Sequence, residues 1–80
     1  MIVRVKLFGP EAASAGVREA SVKLDGSSCA ELRESLGQQF PQLREVLPKC
    51  RFAVNHEFVG LEHRLNESDE IALIGMVSGG

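Results

Sequence analysis

The chain has 80 residues, 44% hydrophobic, 25% charged and 5% aromatic, with nine Lys and Arg against eleven Asp and Glu for a formal net charge of −2. That length holds one domain with a single modest core, and near-average composition excludes wholesale disorder and low complexity. No apolar run approaches the roughly 18 residues of a membrane-spanning helix, and scattered basic residues with few aromatics exclude a nucleic-acid footprint.

Residues Ile2–Phe8 alternate, with Val3, Val5 and Leu7 on one face and Arg4, Lys6 and Phe8 on the other, as in a half-buried strand. This start has no apolar h-region, so no secretory signal is expected and the protein is assigned to the cytoplasm. Gly9-Pro10 breaks the pattern, and the small residues up to Gly16 read as a loop with room for a helical turn around Glu11–Ala15. Ala20, Val22 and Leu24 alternate with Glu19, Ser21 and Lys23 in a second strand, closed by the turn chemistry of Asp25-Gly26.

Ser28 and Glu31 have the spacing of a capping box, in which hydroxyl and carboxylate each take a free amide of a helix start. Behind them Cys29, Leu32, Leu36 and Phe40 recur at helical spacing and form one apolar stripe, which Pro41 ends. Leu43, Val46 and Leu47 suggest one more helical turn before Pro48. Cys29 and Cys50 form no CxxC and, with no export signal, are read as reduced thiols.

Phe52 and Val54 alternate with Arg51, Ala53 and Asn55 in a third strand, and Phe58-Val59 follows a polar turn at Asn55–Glu57. Leu61–Ser68 is a polar loop anchored by Leu65. Beyond Asp69-Glu70, Ile71–Ile74 is the last strand, and residues 75–80 are expected to be a flexible C-terminal tail of a single domain spanning 1–80. Strand, strand, helix, strand, short strand, strand is the α+β order of the ubiquitin-like β-grasp: a mixed sheet crossed by one main helix, its first and last strands parallel neighbours. A ferredoxin-like fold needs a second helix of similar length, and Leu61–Ser68 lacks the apolar period for one.

No internal catalytic constellation is visible. His56 and His63 read as solvated turn and loop residues with no acidic partner at metal-ligand spacing, and no metal site is expected. Asp69 and Glu70 are adjacent on a strand and point to opposite faces. Cys29 opens the apolar stripe and reads as a core residue. There is no phosphate loop and no Ser/His/Asp set. Gly79-Gly80 remains, a segment without side chains that can thread a narrow channel and present one carboxyl group. The alternative is an interaction domain with a frayed end.

Asp69-Glu70-Ile71-Ala72-Leu73-Ile74, then Val77-Ser78-Gly79-Gly80, resembles the MoaD branch of the MoaD/ThiS sulfur carriers, the small subunits of molybdopterin synthase. The opening Val3-Arg4-Val5-Lys6-Leu7-Phe8-Gly9, the Ala53-Val54-Asn55 stretch and Leu65 extend the resemblance over essentially the whole chain. It implies a non-catalytic carrier without a bound cofactor. A ubiquitin-activating-type adenylyltransferase (MoeB-like) would use ATP to adenylate Gly80, and sulfur from a persulfide would displace AMP to leave a thiocarboxylate. Gly79, Ser78 and Val77 would thread it into the large subunit of molybdopterin synthase (MoaE-like), where the sulfur reaches a cyclic pterin monophosphate.

Gly75-Met76 stands where that family has Pro-Pro, which leaves open a ThiS-like carrier serving thiamine thiazole, cysteine or tRNA sulfur chemistry. A ubiquitin-like modifier joined through Gly80 is the alternative of another class, although no arginine precedes Gly79-Gly80. With Ile71 and Leu73 turned to the helix, Ile74 and Phe8 emerge on the uncovered face of the sheet. Phe58 and Met76 extend that face into the expected partner interface.

Overall fold

The computed structural model describes residues 1–75. Strands β1 (Ile2–Leu7), β2 (Glu19–Lys23), β3 (Cys50–Val54), β4 (Glu57–Val59) and β5 (Ile71–Gly75) form one sheet in the order β2-β1-β5-β3-β4. β1 and β5 are parallel neighbours at its centre, with Val5, Lys6 and Leu7 opposite Ile71, Ala72 and Leu73, and the other pairs are antiparallel. This is the ubiquitin-like β-grasp.

Alternation decides which face is buried. Val3, Val5, Leu7, Val22, Phe52, Val54, Ile71 and Leu73 turn inward, and helix α2 (Cys29–Gln39) lays Cys29, Leu32 and Leu36 on them. Leu24, Leu43, Leu47 and Leu65 close the margins of the same cluster. Burying each such Val, Leu or Ile contributes about 1.5–3 kcal/mol relative to leaving it in water. Among the described residues no polar or charged residue is buried.

The capping box of α2 forms as its spacing predicts. Ser28 Oγ accepts from the Glu31 N–H at 3.2 Å, and the Ser28 N–H reaches Glu31 Oε1 at 3.4 Å. The other first-turn amides find partners across the molecule: Cys29 donates to the His63 carbonyl at 3.0 Å and Ala30 to that of Leu61 at 2.9 Å. The loop after β4 thus satisfies groups that a helix start otherwise leaves free. The bond from the Ser28 hydroxyl is the main reason the Glu31 carboxyl is held below its ordinary value.

Four local expectations are corrected. The strand expected to run through Phe8 ends at Leu7, and Phe8 is the extended residue (φ −133°, ψ 157°) that precedes helix α1 (Gly9–Ala15). That helix is a full element of seven residues: Pro10 lies in its first turn, where its missing N–H is harmless, and Gly16 ends it at φ 78°. The single turn expected from Leu43, Val46 and Leu47 is two 3-10 turns, Pro41–Leu43 and Leu47–Lys49, the second containing Pro48. Each proline sits at the start of its turn, and the two turns bury Leu43 and Leu47. Gly75, expected in the tail, is the last residue of β5 and pairs with Cys50.

Candidate functional site

The face of the sheet away from α2 is assembled by register. Ile74 lies opposite Arg51; Ala72 lies between Lys6 and Ala53; Phe58 lies opposite Ala53. The extended backbone at Phe8 carries the alternation of β1 one step beyond its last pairing with β5, Leu7 opposite Leu73. Phe8 and Phe58 are each 51% exposed, whereas Ile74, Ala72 and Ala53 are half-buried. The Arg51 guanidinium stands over the Phe58 ring, 4.6 Å from its centroid. Of the residues expected at a partner interface, Ile74 and Phe58 lie on this face by register and Phe8 is exposed just beyond β1, while Met76, Val77, Ser78, Gly79 and Gly80 lie outside the described residues.

Polar contacts lock this face at its far edge. Asn55 and His56 form the β3–β4 turn with positive φ angles of 51° and 70°. The Asn55 N–H donates to the Glu70 carbonyl at 2.8 Å, its Oδ1 accepts from the Glu70 N–H at 3.0 Å, and its Nδ2 donates to Asp69 Oδ1 at 3.1 Å. The hairpin that carries Phe58 is thereby tied to the entry of the strand that carries Ile74. Glu70 also holds Lys6 Nζ at 3.5 Å and His56 Nε2 at 2.6 Å. His56 is exposed as expected, but it has an acidic partner; His63 is half-buried rather than solvated, packed where its carbonyl caps α2.

At the other end of β5 the Glu11 side chain lies against Gly75, with Cys50 opposite. Cys50 Sγ donates to the Val46 carbonyl at 3.2 Å, and burial, aided by the Glu11 charge, pushes its thiol up. Burial likewise raises the Cys29 thiol, with smaller contributions from Glu62 and Asp69. Neither is an activated nucleophile. Among the described residues no group of His, Cys, Asp or Glu is placed to hold a metal ion, and no helix is long and apolar enough to cross a membrane.

Sequence reasoning missed Arg51, Asn55 and Glu11 as parts of this surface. Arg51 was within reach, because alternation with Phe52 turns it outward. The contacts of Asn55 and Glu11 depend on pairings of strands distant in sequence and carry no local signal.

The fold defines a protein of the ubiquitin-like β-grasp class, with an exposed face carrying Phe58, Ile74 and Arg51. Residues 5–80 match the ThiS family, and the chain belongs to that family. It is 34% identical over 83 residues, all of both chains, to the molybdopterin synthase sulfur carrier subunit of Chlamydomonas reinhardtii. Among solved structures it is similar to SAMP1 of Haloferax volcanii, with TM-score 0.84 and 28% identity over the whole of both chains. It is also similar to a chain in the complex of subunits 1 and 2 of the molybdopterin-converting factor of Helicobacter pylori, with TM-score 0.70 and 32% identity, again over the whole of both.

Proposed function

We propose that this protein is a non-catalytic sulfur carrier for molybdenum cofactor synthesis, acting through a thiocarboxylate on Gly80. A carboxylate is a poor electrophile, so a ubiquitin-activating-type partner must first join it to AMP at the expense of ATP, with release of pyrophosphate. The terminal sulfur of a persulfide donor then attacks the acyl adenylate and expels AMP, and a thiol cleaves the resulting acyl disulfide, leaving the thiocarboxylate on Gly80 and a disulfide on the donor. The carrier works in the reducing cytoplasm, where Cys29 and Cys50 stay thiols. Its docking partner is the large subunit of molybdopterin synthase, which receives Phe8, Ile74 and Phe58 and admits Val77, Ser78, Gly79 and Gly80 to its own reaction centre.

One observation carries this reading: β5 runs up the centre of the sheet and ends at Gly75, beside the apolar face of Phe8 and Ile74. The five residues that follow span at most about 17 Å when extended, so a partner seated on that face holds the final glycine within its own body. The name borne by the full-length relatives supports the same pathway.

Likeness to SAMP1 keeps one second reading, a modifier conjugated to target proteins through Gly80. Intact-mass analysis of the protein from its own cells separates the two. Replacement of one oxygen by sulfur at Gly80 marks a carrier, isopeptide adducts mark a modifier, and an unmodified acid overturns both. A variant with one residue added after Gly80, protected from trimming, loses sulfur loading and keeps its fold. Normal molybdopterin formation by that variant would refute the mechanism.

A further inference from the structure

We propose that Arg51 is a charged anchor of the docking face and that the partner surface it fits is apolar with a carboxylate seated over the Arg51 guanidinium. This rests on reading the face as the contact with the large synthase subunit. Arg51 does not lie at the edge of the patch. Register places it directly beside Ile74, and it covers Phe58 at 4.6 Å. Arg51 is exposed, and among the described residues its guanidinium donors have no hydrogen-bond partner, so they are free to meet an acceptor on a docked surface.

Among the described residues Arg51 makes no salt bridge; the carboxylate that serves this face, Glu70, is taken by Lys6 and His56. A partner that covers Ile74 and Phe58 removes water from Arg51 as well. An unpaired guanidinium buried in that way opposes binding, whereas a carboxylate meeting the fork in bidentate fashion offsets the desolvation. A purely apolar partner is therefore rejected, and one carrying an Asp or Glu at that point is selected. Hydrophobic area supplies attraction here, and Arg51 supplies discrimination.

The test is calorimetric titration of the purified large synthase subunit from the same genome with the folded wild-type protein, Arg51→Met and Ile74→Asp. Methionine keeps an unbranched apolar stem over Phe58 and removes only the charge. Arg51→Met is expected to weaken binding by about tenfold or more and to flatten its dependence on salt. Binding by Arg51→Met as tight as wild type, with Ile74→Asp binding lost, would overturn the anchor and leave the docking face standing. Unchanged affinity in Ile74→Asp as well would overturn the reading of the face, and the anchor with it. Circular dichroism of each variant confirms the fold before titration.

Discussion

The Glu11 carboxylate occupies the space that a Cβ on Gly75 would fill, with Oε1 2.5 Å from that position. A contact between α1 and the last residue of β5 thus exists only because residue 75 is glycine. The end of β5 is therefore bordered by a side chain from another element. Glu11 is the far end of a flexible chain and can swing into water. Gly75→Ala is therefore expected to cost less than about 1 kcal/mol in urea denaturation, with the cost abolished when Glu11→Ala is added. A loss of several kcal/mol would show that Glu11 is held in place.

Asn55 bridges β3 to the entry of β5 with three hydrogen bonds and sits at φ 51°. Asn55→Ala removes its two side-chain bonds and places a less tolerant residue in the left-handed region, for an expected loss of about 2 kcal/mol. Asn55→Gly recovers the backbone part only. Thermal unfolding of the three proteins should rank them wild type, Gly, Ala.

Ser28→Ala should cost about 1 kcal/mol by uncapping α2. The pH dependence has a definite sign. Because the Glu31 carboxyl is lowered in the folded protein, its contribution is present above the ordinary carboxylate range and lost as pH falls through the folded value. Stability measured from neutral to acid pH should fall less steeply in Ser28→Ala, since the hydroxyl that lowers the carboxyl is gone.

The two thiols act at the opposite end of the pH scale. Both are raised by burial, so the unfolded chain releases their protons first and stability declines as pH rises above about 8.5. Replacing both by alanine should reduce that alkaline slope. Iodoacetamide should label Cys29 only after unfolding, because its side chain is fully enclosed; rapid labelling of the native protein would contradict the core placement.

Phe58→Asp should leave the fold intact, because that ring is half exposed, and weaken docking to the large subunit by about tenfold or more, because the apolar ring is lost and the new carboxylate pairs with Arg51 in place of the partner's. Calorimetry on the folded variant reads it directly, and unchanged affinity would place the interface on another face.

Much of the molecule was legible in the sequence because the relevant physics is local. Period-two alternation named the inward sets on β1, β2, β3 and β5, and the Ser28–Glu31 spacing marked the start of α2. Outward placement of Phe8 and Ile74 followed from the same alternation, whereas Phe58 was only a candidate from its short strand after a turn. It could not show that the small residues after Phe8 continue as a complete helix, because α1 buries no residue and so has no apolar stripe to read. Nor could it show Pro48 inside a 3-10 turn, where burial of Leu47 outweighs weak local preference. The neighbours that define the site came from tertiary structure alone: Arg51 beside Ile74 and over Phe58, Asn55 on Asp69 and Glu70, Glu11 against Gly75. Alternation says which way a side chain points, but strand register and element packing, set by pairings between distant parts of the chain, decide what it meets there.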